Sequence, residues 1–140
     1  MAFRKEKPVH KVVVRLADGR RIKGMTADFF PGKDIFHVSL AKAPAGAKPV
    51  EICTKDMKAL FFVKDFAGNP QRAKRNEFDP KHLPIGRRIK VVFKDGEVLV
   101  GTTTGYQPGR PGLFVVPADA GSNNERCYVV AASTQEIKFI

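Results

Sequence analysis

The side chains best equipped for chemistry in this sequence are cationic. Arg20, Arg21 and Lys23, then Arg72, Lys74 and Arg75, then Arg87, Arg88 and Lys90 form three short basic groups. These residue types neutralise phosphates. Phe29, Phe30 and Tyr106 add aromatic faces on which an unpaired base could stack, and Phe29 and Tyr106 fall at matching places in the two halves of the chain. Catalysis has no comparable support. His10, His37 and His82 are scattered over a strand start, a strand and a linker, with no Cys or carboxylate at ligand spacing. Ser39, Ser122 and Ser133 lack a nucleophile-elbow context, and no Gly-rich loop leads into a helix. The sequence therefore assigns no catalytic residue, no metal site and no cofactor, and reads as that of a binding protein rather than an enzyme.

Composition points the same way. Among 140 residues, 25 are Lys or Arg and 14 are Asp or Glu, for a net charge of +11 and a pI near 10.0. That balance favours polyanions: RNA, DNA, anionic lipid or an acidic protein surface. The two cysteines, Cys53 and Cys127, are far apart and form no CxxC pair, which suits a reduced, cytoplasmic protein. The basic start of the chain is followed by no apolar signal core, and no stretch approaches the length of a membrane span.

The elements that must position these residues occur twice. Val12 to Gly24 and Ile89 to Gly101 each run from an apolar-rich stretch through Asp-Gly to a second stretch closed by Gly, the pattern of a β-hairpin. A constant offset of 77 residues carries Asp18-Gly19 onto Asp95-Gly96, Gly24 onto Gly101, Thr26 onto Thr103, Pro31-Gly32 onto Pro108-Gly109 and Val38 onto Val115. Internal duplication accounts for this. Each copy predicts five short strands and one helical turn: 9–16, 21–27, 35–40, 50–54 and 60–63 in the first, and 88–93, 97–104, 112–116, 126–130 and 136–140 in the second. The fold expected is all-β, two tandem small SH3/Sm-like β-barrels related by duplication. Their boundaries are a basic tail at 1–8, a first barrel at 9–63, a basic Pro- and Gly-containing linker at 64–85 and a second barrel at 86–140. Units this small carry marginal cores, so the two are expected to pack together or share an edge strand.

Two resemblances rest on these residues. The apolar run, Asp-Gly, apolar-x-Gly and a following turn with Asp28-Phe29-Phe30 resemble the first motif of Sm-like RNA-binding proteins over about twenty residues of each half; the second Sm motif has no counterpart, so that family's base-contacting residues are not carried over. The whole chain resembles an uncharacterised bacterial family, through Asp95-Gly96 to Gly101, Tyr106-Gln107-Pro108-Gly109-Arg110-Pro111-Gly112-Leu113, Pro117-Ala118-Asp119 and Ser122-Asn123-Asn124. That resemblance implies a module attached to bacterial regulatory or signalling proteins, without an assigned reaction.

The function expected is nucleic-acid binding, of RNA or single-stranded DNA, through the basic surface. The alternative is a protein-interaction adaptor that docks an acidic partner along an exposed edge near Ile35 to Leu40.

Overall fold

The computed structural model describes residues 8–67, 77–78, 85–119 and 122–140. The chain is all-β. Its strands are β1 (His10–Leu16), β2 (Arg21–Thr26), β3 (Ile35–Leu40), β4 (Val50–Cys53), β5 (Met57–Val63), β6 (Arg87–Phe93), β7 (Val98–Thr103), β8 (Gly112–Pro117), β9 (Asn124–Val130) and β10 (Thr134–Phe139). A single 3-10 turn precedes the last strand of each half, at Thr54–Asp56 and Ala131–Ser133. The ten strands pair antiparallel in one sheet, in the order β10-β6-β7-β8-β9-β5-β1-β2-β3-β4. Most of the basic tail and of the linker expected from the sequence lies outside the described residues.

The offset found in the sequence is also written into the backbone. Gly19 and Gly96 both adopt positive φ, at 95° and 91°, the conformation that closes each hairpin loop and that glycine adopts without strain. In each loop the Asp carboxylate accepts the backbone N–H two residues on, from Arg20 to Asp18 and from Glu97 to Asp95. The N–H of Ala17 donates to the Asp56 carbonyl, and that of Lys94 to the Ser133 carbonyl. Ala41 to Lys23 is repeated by Ala118 to Val100, and Thr54 to Asp34 by Ala131 to Pro111. Gly24 and Gly101 are equivalent as well: a Cβ at either would run into the backbone carbonyl and valine of the adjoining strand, Ser39 and Val38 in one half and Val116 and Val115 in the other. Only glycine lets β2 approach β3, and β7 approach β8, this closely.

Within each half the strands follow the same order, β5-β1-β2-β3-β4 and β10-β6-β7-β8-β9, and the halves join where β5 pairs with β9. These two strands are the centre of the molecule. Met57, Leu60 and Phe62 of β5, with Tyr128 and Val130 of β9, enter one core beside Val12, Val14, Phe36 and Val38. Ala59, Phe61 and Val63, with Cys127 and Val129, enter a second core beside Ile89, Val91, Phe93 and Val115. Side chains alternate across a strand, so a strand between two cores must be apolar on both faces. This explains the nearly unbroken apolar run of β5, all seven residues of which are buried.

One residue of that run is charged. The register of β1 against β5 shifts between Arg15 and Leu16, leaving Lys58 as the bulged residue. The bulge turns Lys58 out of both cores and toward the other half's hairpin: its ammonium lies 2.6 Å from Asp95 and 2.9 Å from Glu97, and 4.6 Å from the Phe93 ring centre. Arg15 reaches the same hairpin, donating to both Glu97 carboxylate oxygens at 3.0 Å. β3 is not an edge, since it pairs with β2 and β4; the open edges belong to β4 and β10. The docking edge expected near Ile35 to Leu40 is thus occupied by the protein's own strands.

Candidate nucleic-acid interface

The basic residues singled out in the sequence fall into separate groups. Arg20 sits at the first hairpin, its Nε 2.7 Å from the Asp18 carboxylate. Arg21 and Lys23 follow on β2, and the Lys23 ammonium donates to the carbonyl of Phe66. Arg87, Arg88 and Lys90 lie on β6, with the Arg87 guanidinium 3.6 Å from the Phe139 ring centre and that of Arg88 4.6 Å from Phe78. In the sheet, β7, β8, β9, β5 and β1 separate β6 from β2. Strand order therefore does not gather these side chains into one patch. Arg72, Lys74 and Arg75 lie outside the described residues.

The three aromatic candidates have different surroundings. Tyr106 packs edge-on against Phe139. Phe29 is drawn into the first core and meets Phe36, Phe62, Phe114 and Tyr128 at ring-centre distances between 5.1 and 6.4 Å. Its faces are largely taken by these neighbours. Phe30, next in sequence, is 56% exposed.

The feature that the sequence reading missed lies where the halves meet. Arg126 of β9 stands directly across from Phe62 of β5, and Tyr128 across from Phe114 of β8. The Arg126 guanidinium consequently lies 4.3 Å from the Phe62 ring centre and 5.0 Å from that of Phe114, and among the described residues it has no carboxylate partner. His10 also meets Phe62, edge-on, at a ring-centre distance of 5.4 Å. Arg126, Phe62, Phe114 and His10, together with Phe29 and Phe30, line a cavity of about 320 Å³. A second cavity, of about 270 Å³, shares Pro31 and Phe114 as walls and extends past Gly32, Thr103 and Gly112 to Tyr128. The signal that could have located this site is divergence within the repeat: Arg126 and Tyr128 stand where the first half has Pro49 and Glu51.

Asp28 anchors the loop that carries Phe29 and Phe30. Its Oδ1 accepts the backbone N–H of His37, its Oδ2 lies 2.8 Å from His37 Nδ1, and Lys33 donates to its backbone carbonyl. Burial raises the carboxyl's pKa, but the His37 hydrogen bonds, with Lys33 and Thr26, outweigh it and bring the value down to about 2. The aromatic loop is thus held by an ionised carboxylate at neutral pH.

Chemically, the junction offers a cation spread over two ring faces, an exposed phenylalanine and two adjoining hollows. Such a set can hold a flat aromatic group and an attached anion. Among the described residues no group of three or more His, Cys, Asp or Glu is placed to hold a metal, and no helix is long and apolar enough to cross a membrane. The family model of DUF6982, a family of unknown function, matches residues 8–140, and the chain belongs to that family. No curated protein and no solved structure matches the chain.

Proposed function

We propose that this protein is a non-enzymatic module that binds single-stranded nucleic acid, RNA or DNA, with two tandem SH3/Sm-like small barrels as its scaffold. The reading of each half as such a barrel is supported by the repeated strand order and by the 3-10 turn before each final strand. The observation that carries the functional reading is Arg126, stacked over Phe62 and Phe114 without a carboxylate partner among the described residues, in a chain of net charge +11. A guanidinium held over aromatic rings presents its outward N–H groups to a phosphate. Phe30 at the cavity's rim supplies a face for a base. The separated basic groups on β2 and β6 then extend the track for the backbone, as sequence-tolerant binders require.

The test is fluorescence anisotropy with labelled single-stranded RNA and DNA of about 20 nucleotides, at about 50 and about 200 mM salt. With about five phosphate contacts, the affinity is expected to fall on the order of a hundredfold between these conditions. Arg126→Ala is expected to weaken binding about tenfold while leaving the fold intact by circular dichroism. Absence of binding at the lower salt would overturn the reading and favour the adaptor alternative, whose partner would be an acidic protein surface.

A further inference from the structure

The offset of 77 residues also carries the aromatic cluster of the junction onto the far end of the sheet. Phe62 falls on Phe139, Phe29 on Tyr106 and His10 on Arg87. The contacts are repeated along with the residues. Val12 of β1 stands across from Phe62 of β5, and Ile89 of β6 across from Phe139 of β10. The ring centres of Phe29 and Phe62 are 6.3 Å apart, and those of Tyr106 and Phe139 5.8 Å. His10 meets Phe62 at 5.4 Å, and the Arg87 guanidinium lies 3.6 Å from the centre of the Phe139 ring, the contact distance of stacked groups. What differs is the cover. β9 pairs with β5 and brings Arg126 over Phe62, which is 4% exposed. β10 ends the sheet, among the described residues no strand lies beyond it, and Phe139 is 37% exposed.

We propose that Arg87, Phe139 and Tyr106 form a second platform, on which one unpaired nucleobase of a bound single strand stacks. The proposal rests on the single-strand reading above and gives the strand a point of base contact apart from Arg126. Aromatic rings and guanidinium planes both stack on bases, and both are present here in contact with each other. Arg87 is exposed and has no carboxylate partner among the described residues, so its outward N–H groups are free for the adjoining phosphate. Its place is fixed by the residue before it. Gly86, at φ +115°, brings the start of β6 so close to β7 that a Cβ would sit 2.7 Å from the Thr103 carbonyl oxygen. The charge around the platform selects a polyanion over a second copy of this chain. Lys90 and Lys138 stand across from each other on β6 and β10, and Glu136 is the one carboxylate on β10. Two such edges would repel each other, whereas a phosphate backbone is drawn to this one.

Phe139→Leu removes the ring and keeps apolar bulk at the end of β10. Its affinity for a single-stranded RNA of about 20 nucleotides is expected to fall about five- to tenfold. The salt dependence should not change, because no charge is lost. Should Phe139→Leu fail to fold by circular dichroism, Arg87→Lys takes its place with the same expectation, since it keeps the charge and loses the planar group. An oligomer carrying abasic sugars throughout is expected to bind wild type and variant equally. Equal affinity of both proteins for the base-bearing RNA would overturn the platform and leave the single-strand reading standing. An equal loss with the abasic oligomer would overturn it too, because the site would then read the backbone and not a base. A second measurement separates the two readings if RNA fails to bind: NMR titration of the wild type with adenosine, guanosine, cytidine and uridine 5′-monophosphates. Saturable shifts of the Phe139 and Tyr106 ring signals with any one of them would sustain the platform without the larger reading, and no shift with all four would overturn it.

Discussion

Asp28 shows how a single carboxylate sets the shape of the candidate site. It joins the end of β2 to β3 through His37 and fixes the loop from which Phe29 turns inward and Phe30 outward. Because its pKa in the folded protein, about 2, lies below the ordinary 3.8, its contribution to stability is complete above about pH 5 and is lost as pH falls toward 2. Its size is up to about 2 kcal/mol. Asp28→Asn is therefore expected to be less stable than wild type at pH 7 by about 1 to 2 kcal/mol, and the gap should close at pH 2 to 3 in urea unfolding curves. A pH-independent gap would mean that the carboxylate's charge is immaterial. Residues of this local kind were legible in the sequence: Asp28, Gly24 and Gly101 act on the strand beside them. Arg126 and Tyr128 were not, because their meaning comes from Phe62 and Phe114, and Phe62 belongs to the other half of the chain.

The hairpins show the same division at the level of elements. Both were legible from Asp-Gly and the flanking apolar runs, and nine of the ten expected strands lie within two residues of the observed ones at each end. β5 begins earlier than expected, at Met57 rather than Leu60. Lys58 interrupts the apolar pattern there, and nothing nearby in sequence announces that Asp95 and Glu97 will neutralise it. β9 likewise starts two residues before the expected Arg126, at Asn124. The two hairpins also differ in charge, Arg20-Arg21 against Glu97-Val98, and the structure gives the difference a purpose: the second hairpin docks on the cations of the first half. Glu97→Ala would remove both Arg15 contacts and one of the two carboxylates beside the buried Lys58. A loss of about 1 to 3 kcal/mol is expected by thermal or urea unfolding. A change under about 0.5 kcal/mol would show that the β5 to β9 pairing holds the halves without these charges.

At the level of the whole molecule, the junction is both the best-buried region and the place where the candidate site forms. β5 and β9 are each apolar on two faces because each serves two cores. A fragment ending at residue 67 would leave Ala59, Phe61 and Val63 uncovered, along with the pairing edge of β5. It is expected to run as a multimer, or to precipitate, under conditions where the full chain remains in solution. A folded, monodisperse fragment of single-copy mass in light scattering would refute this. The outer edges are protected by contrast: β4 has only four residues and follows Pro49, while β10 carries Glu136 and Lys138.

That contrast bears on descent. In β5 and β9 the last strand of one unit meets the fourth strand of the next, a head-to-tail contact between unlike surfaces. Identical single units joined in that way would have no natural end, and would form either a ring or an open fibre. An ancestor with one repeat per gene would therefore have lived as an assembly. With two copies in one chain, the inner and outer strands are free to differ, and Arg126 and Tyr128 stand on only one of the two equivalent strands, β9 and not β4.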